Sequence, residues 1–296
     1  MDKSKVLGYA AALAVVAIWS SWLVVSKAGA VSTLSIYDMA ALRYGVSSII
    51  ALPVVIYFKP WREMTLLRIV VLTIVLGPVY ILMVFGGFAY APAAHGGIFM
   101  NGIVPAITLL LAWMWFKRRP FKSEFIGILG IIIGASLAAF DSSELQLSVS
   151  WRGDLLFIGG ALFFSIYLVL SRLWNIGPTQ LLLCSSLINA VTFVPVWYFF
   201  LPTGLSDIPT NELYLQILYQ GIIPNTIGLL LVSFAVGRIG SSATAAFMAA
   251  VPAGGAILSM LILAEFPGPA GWAGLTIITP AILLLAVIGN RRENNQ

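Results

Sequence analysis

The chain has 296 residues, of which 60% are hydrophobic and 9% charged, with a formal net charge of +5 and a mean hydropathy of +1.00. Soluble domains carry roughly 25% charged residues, so this composition excludes a water-soluble globular protein and identifies a polytopic membrane protein. A single cysteine, Cys184, excludes an intrachain disulfide and leaves redox and zinc chemistry without ligands; it reads as a small buried hydrophobe.

Taken in chain order, apolar runs fall at roughly 6–26, 37–57, 66–88, 93–116 and 125–140, and then at 155–171, 179–200, 214–237, 243–263 and 271–288. Each approaches the roughly 20 residues that a bilayer crossing needs. The first run is too long and continuous for a cleaved leader and is expected to be the first span. Short joints separate the runs and carry breakers, among them Lys59-Pro60-Trp61, Arg119-Pro120, Gly177-Pro178 and Phe266-Pro267-Gly268-Pro269. The widest joint, 141–154, divides the chain into two sets of five spans, 1–145 and 146–296. The fold class expected is therefore all-α, with ten transmembrane helices.

With a cytoplasmic N-terminus, thirteen of the sixteen Lys and Arg residues fall on the inner side, including Lys117, Arg118, Arg119, Arg291 and Arg292. The outer side keeps Lys27, Arg43 and Arg152, together with seven of the eleven acids, among them Asp38, Asp141, Glu144, Asp154 and Glu265. This bias predicts both termini in the cytoplasm and a bacterial inner-membrane location. Because the basic residues occupy short loops, nucleic acid is not an expected partner. The lipid bilayer is, and the composition is compatible with a monomer.

The second five spans repeat the first at an offset of about 145 residues. Trp19-Ser20 through Ser26-Lys27 overlays Phe164-Ser165 through Ser171-Arg172 without a gap, and Val104-Pro105-Ala106 overlays Val251-Pro252-Ala253. Five crossings per unit place the two copies in opposite orientation, and inverted repeats of this kind build transporters with a substrate site at the midplane.

Trp19-Ser20, Pro105, Pro252 and the stretch from Leu263-Ala264-Glu265 through Pro267 to Trp272-Ala273-Gly274-Leu275 resemble the drug/metabolite transporter superfamily, in its branch of ten-helix exporters with two EamA-type repeats. Within it the pattern is most similar to the aromatic amino-acid exporters of the YddG type. The resemblance implies a central cavity surrounded by spans one, three, four, six, eight and nine. It also marks a departure: Arg118 stands where the family often has an acid at the end of span four, which bears on Glu265, its counterpart in the second repeat.

Helical spacing puts Trp19, Trp22 and Ser26 on one stripe and Phe164, Tyr167 and Ser171 on its counterpart. Candidate substrate-binding residues are Trp19, Trp22, Tyr80, His95, Phe99, Phe164, Tyr167 and Asn225, with Pro105 and Pro252 as hinges. Core packing is the competing reading for the tryptophans, a structural hydrogen bond for His95, and a helix-helix clip for Asn225 beside Pro224. His95 lacks an acidic or cysteine neighbour in the sequence, so no metal or other cofactor is expected. Arg43, deep in span two, reads as a structural ion pair with Asp38 or as a side chain snorkelling outward.

No Asp or Glu sits mid-span, and proton-driven carriers generally need a buried ionisable group. The expected function is export of small neutral or zwitterionic metabolites, aromatic amino acids foremost, by alternating access and uncoupled facilitated diffusion. The alternative is proton-coupled export of other amino acids or amphiphilic drugs. An enzyme is not expected, since one His, one Cys and no mid-span carboxylate cannot assemble catalytic machinery, and a non-transporting scaffold leaves the paired aromatics unexplained.

Overall fold

The structure is a computed structural model that describes residues 3–117, 121–141 and 147–293. Among these it contains ten helices long and apolar enough to cross a membrane and no strands. We label them α1 (Lys3–Ala30), α2 (Ile36–Phe58), α3 (Leu66–Tyr90), α4 (Ala93–Trp115), α5 (Lys122–Ala139), α6 (Ser150–Trp174), α7 (Pro178–Phe200), α8 (Thr210–Gly240), α9 (Ala243–Leu263) and α10 (Pro269–Ile288). Arg118, Arg119, Pro120 and Glu144 lie outside the described residues.

Several helices run beyond the apolar stretches that predict them. Helix α6 was expected from residue 155, yet the chain is helical from Leu147 and the span begins at Ser150. Its first turns carry Asp154, which hydropathy counts as loop but which is buried against another helix. The joint between the two halves is correspondingly shorter than predicted. Helix α5 begins at Lys122 because Glu124 reaches back to accept from the Phe121 N–H at 2.8 Å, closing the first turn. Ser35 and Asp38 form the same device at the start of α2, Ser35 N–H donating to Asp38 and Asp38 N–H to Ser35 Oγ.

Breaks inside the spans coincide with glycine and proline. Helix α3 is interrupted at Gly77, ahead of Pro78. Helix α4 passes through π-helical turns at Gly96–Gly102 before Pro105 restarts a regular helix. Helices α7 and α8 contain similar wide turns at Leu183–Ile188 and Ile217–Gly228, a geometry concentrated at functional sites. A left-handed Gly240, φ 84°, turns the chain from α8 into α9.

The packing interlocks the two halves. Helix α1 lies against α8 and α9, α6 lies against α3 and α4, and α5 and α10 pack on each other. Small residues permit the closest approaches. A Cβ added at Gly97 of α4 would sit 3.0 Å from Pro252 Cα of α9, and one at Gly254 or Gly255 would collide with Ser20 or Leu23 of α1.

Candidate substrate site

Two serines mark the crossing. Ser20 Oγ donates to the Val251 carbonyl at 3.2 Å, joining α1 to α9, and Ser165 Oγ donates to the Val104 carbonyl at 3.3 Å, joining α6 to α4. Each acceptor immediately precedes a proline, Pro252 or Pro105, and each serine immediately follows an aromatic, Trp19 or Phe164. Along α1, Trp19 lies about 16 Å from the Ala30 end at 1.5 Å rise per residue.

Tyr80, Phe164 and Tyr167 come together as one aromatic group. Tyr80 stacks on Phe164 with centroids 6.2 Å apart and planes 21° from parallel, and Phe164 meets Tyr167 at 5.5 Å. Trp19 is half-buried, its indole nitrogen against Gly228 of α8. Trp22 is placed differently: it is buried, its indole N–H donates to Gln220 Oε1 at 3.0 Å, and its ring meets the edge of Phe88.

Trp22 belongs to a polar ladder between α1 and α8 that sequence reading missed. Gln220 Nε2 donates to Ser26 Oγ and to Gln216 Oε1, and Gln216 Nε2 donates to the Val25 carbonyl. Two glutamines four residues apart in an apolar run were the available signal, because amides at that depth need partners. Asn225 acts within its own helix. Within the wide turns around Pro224, Asn225 Nδ2 donates to the Gln220 carbonyl, five residues back, at 2.9 Å. It clips one helix rather than two.

His95 corrects the expectation of an imidazole without an acidic neighbour. Its Nδ1 lies 2.7 Å from Asp154 Oδ1 of α6, and its ring contacts Phe99 at 5.5 Å. The pair spans 59 positions, so proximity in sequence could not reveal it. Beside it, Lys27 of α1 sits 3.9 Å from Glu265 and donates to the Phe88 carbonyl, while Glu265 Oε2 accepts from the Ala93 N–H at 2.8 Å. Asp141 accepts from Gly268 N–H. These contacts draw α1, α3, α4, α5, α6 and the α9–α10 loop together at the Ala30 end of the bundle. Among the described residues no three His, Cys, Asp or Glu side chains converge as metal ligands.

A cavity opens at this end, lined by residues including His95, Ile98, Asp141, Glu265 and Leu275. It offers about 40 Å³ of space for solvent, on the order of one or two water molecules rather than an amino acid. Of the candidate substrate residues it touches His95; the Tyr80, Phe164 and Tyr167 group lies elsewhere.

Burial pushes the Glu265 carboxyl above its ordinary value near 4.5, against the opposing pull of the Ala93 N–H, Lys27 and His95. A raised carboxyl binds its proton more tightly in the folded protein than in the unfolded chain. Its contribution to stability is therefore full below the ordinary value and fades as pH climbs through the raised one. Melting curves from about pH 7.5 down to about pH 4.5 are expected to show wild type gaining stability relative to Glu265→Gln as acid is added. A difference that stays flat or shrinks would contradict the burial argument.

The fold and site together define a multi-pass membrane protein with aromatic and polar side chains gathered inside an interlocked helical bundle. The EamA-like transporter family model matches residues 6–140 and again 151–287, and the chain belongs to this family. It is similar to the uncharacterized transporter YyaM of Bacillus subtilis (strain 168), 28% identical over 233 residues that make up 75% of each chain. It is also similar to the uncharacterized transporter YwfM of the same strain, 23% identical over 68% of this chain and 67% of the other. A solved crystal structure shares the fold with a TM-score of 0.59 at 17% identity, over 98% of each chain.

Proposed function

We propose that this transporter exports small neutral or zwitterionic metabolites, aromatic amino acids foremost, across a bacterial inner membrane. The two units, residues 1–145 and 146–296, form inverted repeats that alternate access to a shared site, with both termini cytoplasmic. The observation that carries this reading is the cluster of Tyr80, Phe164 and Tyr167, beside Ser165, which ties α6 to α4. Aromatic surfaces favour offset stacking with a ring-bearing solute. Trp19, Phe99, Trp22, His95 and Asn225 complete the proposed site and its supports, and Pro105 and Pro252, beside the locking carbonyls, serve as hinges. Helix groups pivoting there would open one mouth as the other closes.

Uncoupled diffusion is supported by the positions of the buried acids. Asp38, Glu124 and Asp154 lie within the first five residues of their spans. Proton-coupled export is the second reading, favoured by the His95–Asp154 pair.

Purified protein in liposomes is expected to move phenylalanine saturably and without an imposed proton gradient. Trp19→Ala and Tyr167→Ala should each lower that rate at least tenfold while remaining folded. Equal rates for all amino acids would overturn the aromatic reading, and flux that requires a proton gradient would favour the second.

A further inference from the structure

Arg43 is a cation inside a span whose expected counter-charge is taken by others. Both oxygens of Asp38 are engaged: Oδ1 accepts from Trp197 Nε1 at 2.8 Å, and Oδ2 accepts from the N–H groups of Gly204 and Ser35, each at 2.8 Å. The Arg43–Asp38 ion pair read from the sequence is therefore not formed. Among the described residues no hydrogen bond, ion pair or ring contact engages the guanidinium, and it is half-buried.

The direction of Arg43 follows from its neighbours on α2. Residues three and four positions away share its face: Met39, Ala40 and Ser47 are buried, and Val46 packs on Gly221 of α8. The lipid-facing row of the same helix, Ile49, Leu52 and Ile56, is 72%, 45% and 56% exposed. At 100° per residue this row lies on the opposite side of the helix from Arg43. Arg43 thus points into the bundle, about 10 Å along α2 from Ile36, where snorkelling along the lipid face cannot reach water. Tyr44, the next residue on α2, donates its phenol O–H to the Leu76 carbonyl of α3 at 3.1 Å, four residues before Tyr80, which stacks on Phe164.

An inward-facing, half-buried charge without a partner among the described residues marks a substrate pathway, and guanidinium geometry suits a carboxylate held by two parallel hydrogen bonds. We propose that Arg43 anchors the carboxylate of the transported solute while Tyr80, Phe164 and Tyr167 hold its apolar body. The substrate class is then organic acids and amino acids with an aromatic or aliphatic tail, bound in preference to the corresponding amines and amides. This assignment rests on the aromatic reading above and adds the charged group of the ligand.

The test is equilibrium binding to detergent-solubilised protein of two probes of equal shape, 3-phenylpropanoate and 3-phenylpropanamide. Wild type should bind the acid at least tenfold more tightly than the amide. Arg43→Gln should lower acid affinity to that of the amide and leave amide binding unchanged, whereas Arg43→Lys, which keeps the charge, should retain part of the preference. Equal binding of acid and amide by wild type overturns the proposal without any variant, so a misfolded Arg43→Gln does not rescue it. Flux of phenylalanine measured alongside separates the two readings. Transport with no acid preference in binding removes the anchor alone, and absence of both transport and binding removes the aromatic site with it.

Discussion

Asp38→Ala is expected to destabilise the protein by roughly 3–5 kcal/mol, since it strips a buried charge-assisted network of its acceptor. The carboxylate is 0% exposed and accepts from Trp197, Gly204 and Ser35. Alanine would leave all three donors buried and unmatched, and it would remove the box that starts α2. The loss extends beyond one helix, because Trp197 belongs to α7 and Gly204 to the loop that follows it. Gly204 cannot shift to compensate: even a Cβ there would collide with the Thr33 backbone. Denaturant titration in mixed micelles, with Asp38→Asn as the shape-preserving comparison, should rank wild type above Asn and Asn above Ala. An Asp38→Ala protein as resistant as wild type would show that the network contributes nothing.

Phe164→Ala is expected to reduce phenylalanine transport more than any other substitution in the aromatic group. Phe164 is its centre, stacked on Tyr80 at 6.2 Å and touching Tyr167 at 5.5 Å. Losing its ring removes apolar contact surface and the stacking partner, together about 2 kcal/mol, or on the order of 30-fold in kcat/KM. Phe164→Leu keeps volume but not planarity and should fall between the two. The informative readout is the ratio of phenylalanine to leucine transport. It should collapse in Phe164→Ala; if both rates fall equally, the ring has a packing role and the selectivity argument fails.

Much of this architecture was legible in the chain because a bilayer makes hydrophobic length a direct reading of topology. Ten apolar runs became ten spans. The errors came where polar residues are buried inside helices, since hydropathy treats a buried carboxylate as loop. Asp154 hid the first turns of α6 and Glu124 those of α5. The Ser20 and Ser165 alignment was visible as sequence repetition, but the bonds to Val251 and Val104 were not, because they join residues 231 and 61 positions apart.

The site residues divide in the same way. Spacing on one helix grouped Phe164 with Tyr167, whose rings touch. It also grouped Trp19 with Trp22, which diverge: one is half-buried against Gly228 and the other is tied to Gln220. A periodicity argument gives the face of a helix and is silent about what lies opposite.

By itself the sequence determined the helical class, the number of spans and the supply of aromatic rings, because each depends on composition and local spacing. Tertiary packing alone decided which charges are spent and which remain. Asp38 turned to Trp197 and Gly204, His95 to Asp154 and Glu265 toward Lys27, leaving Arg43 facing inward. Such partners are chosen by the meeting of helices distant in sequence, where a buried polar group bonds whatever donor or acceptor the packing brings within about 3 Å.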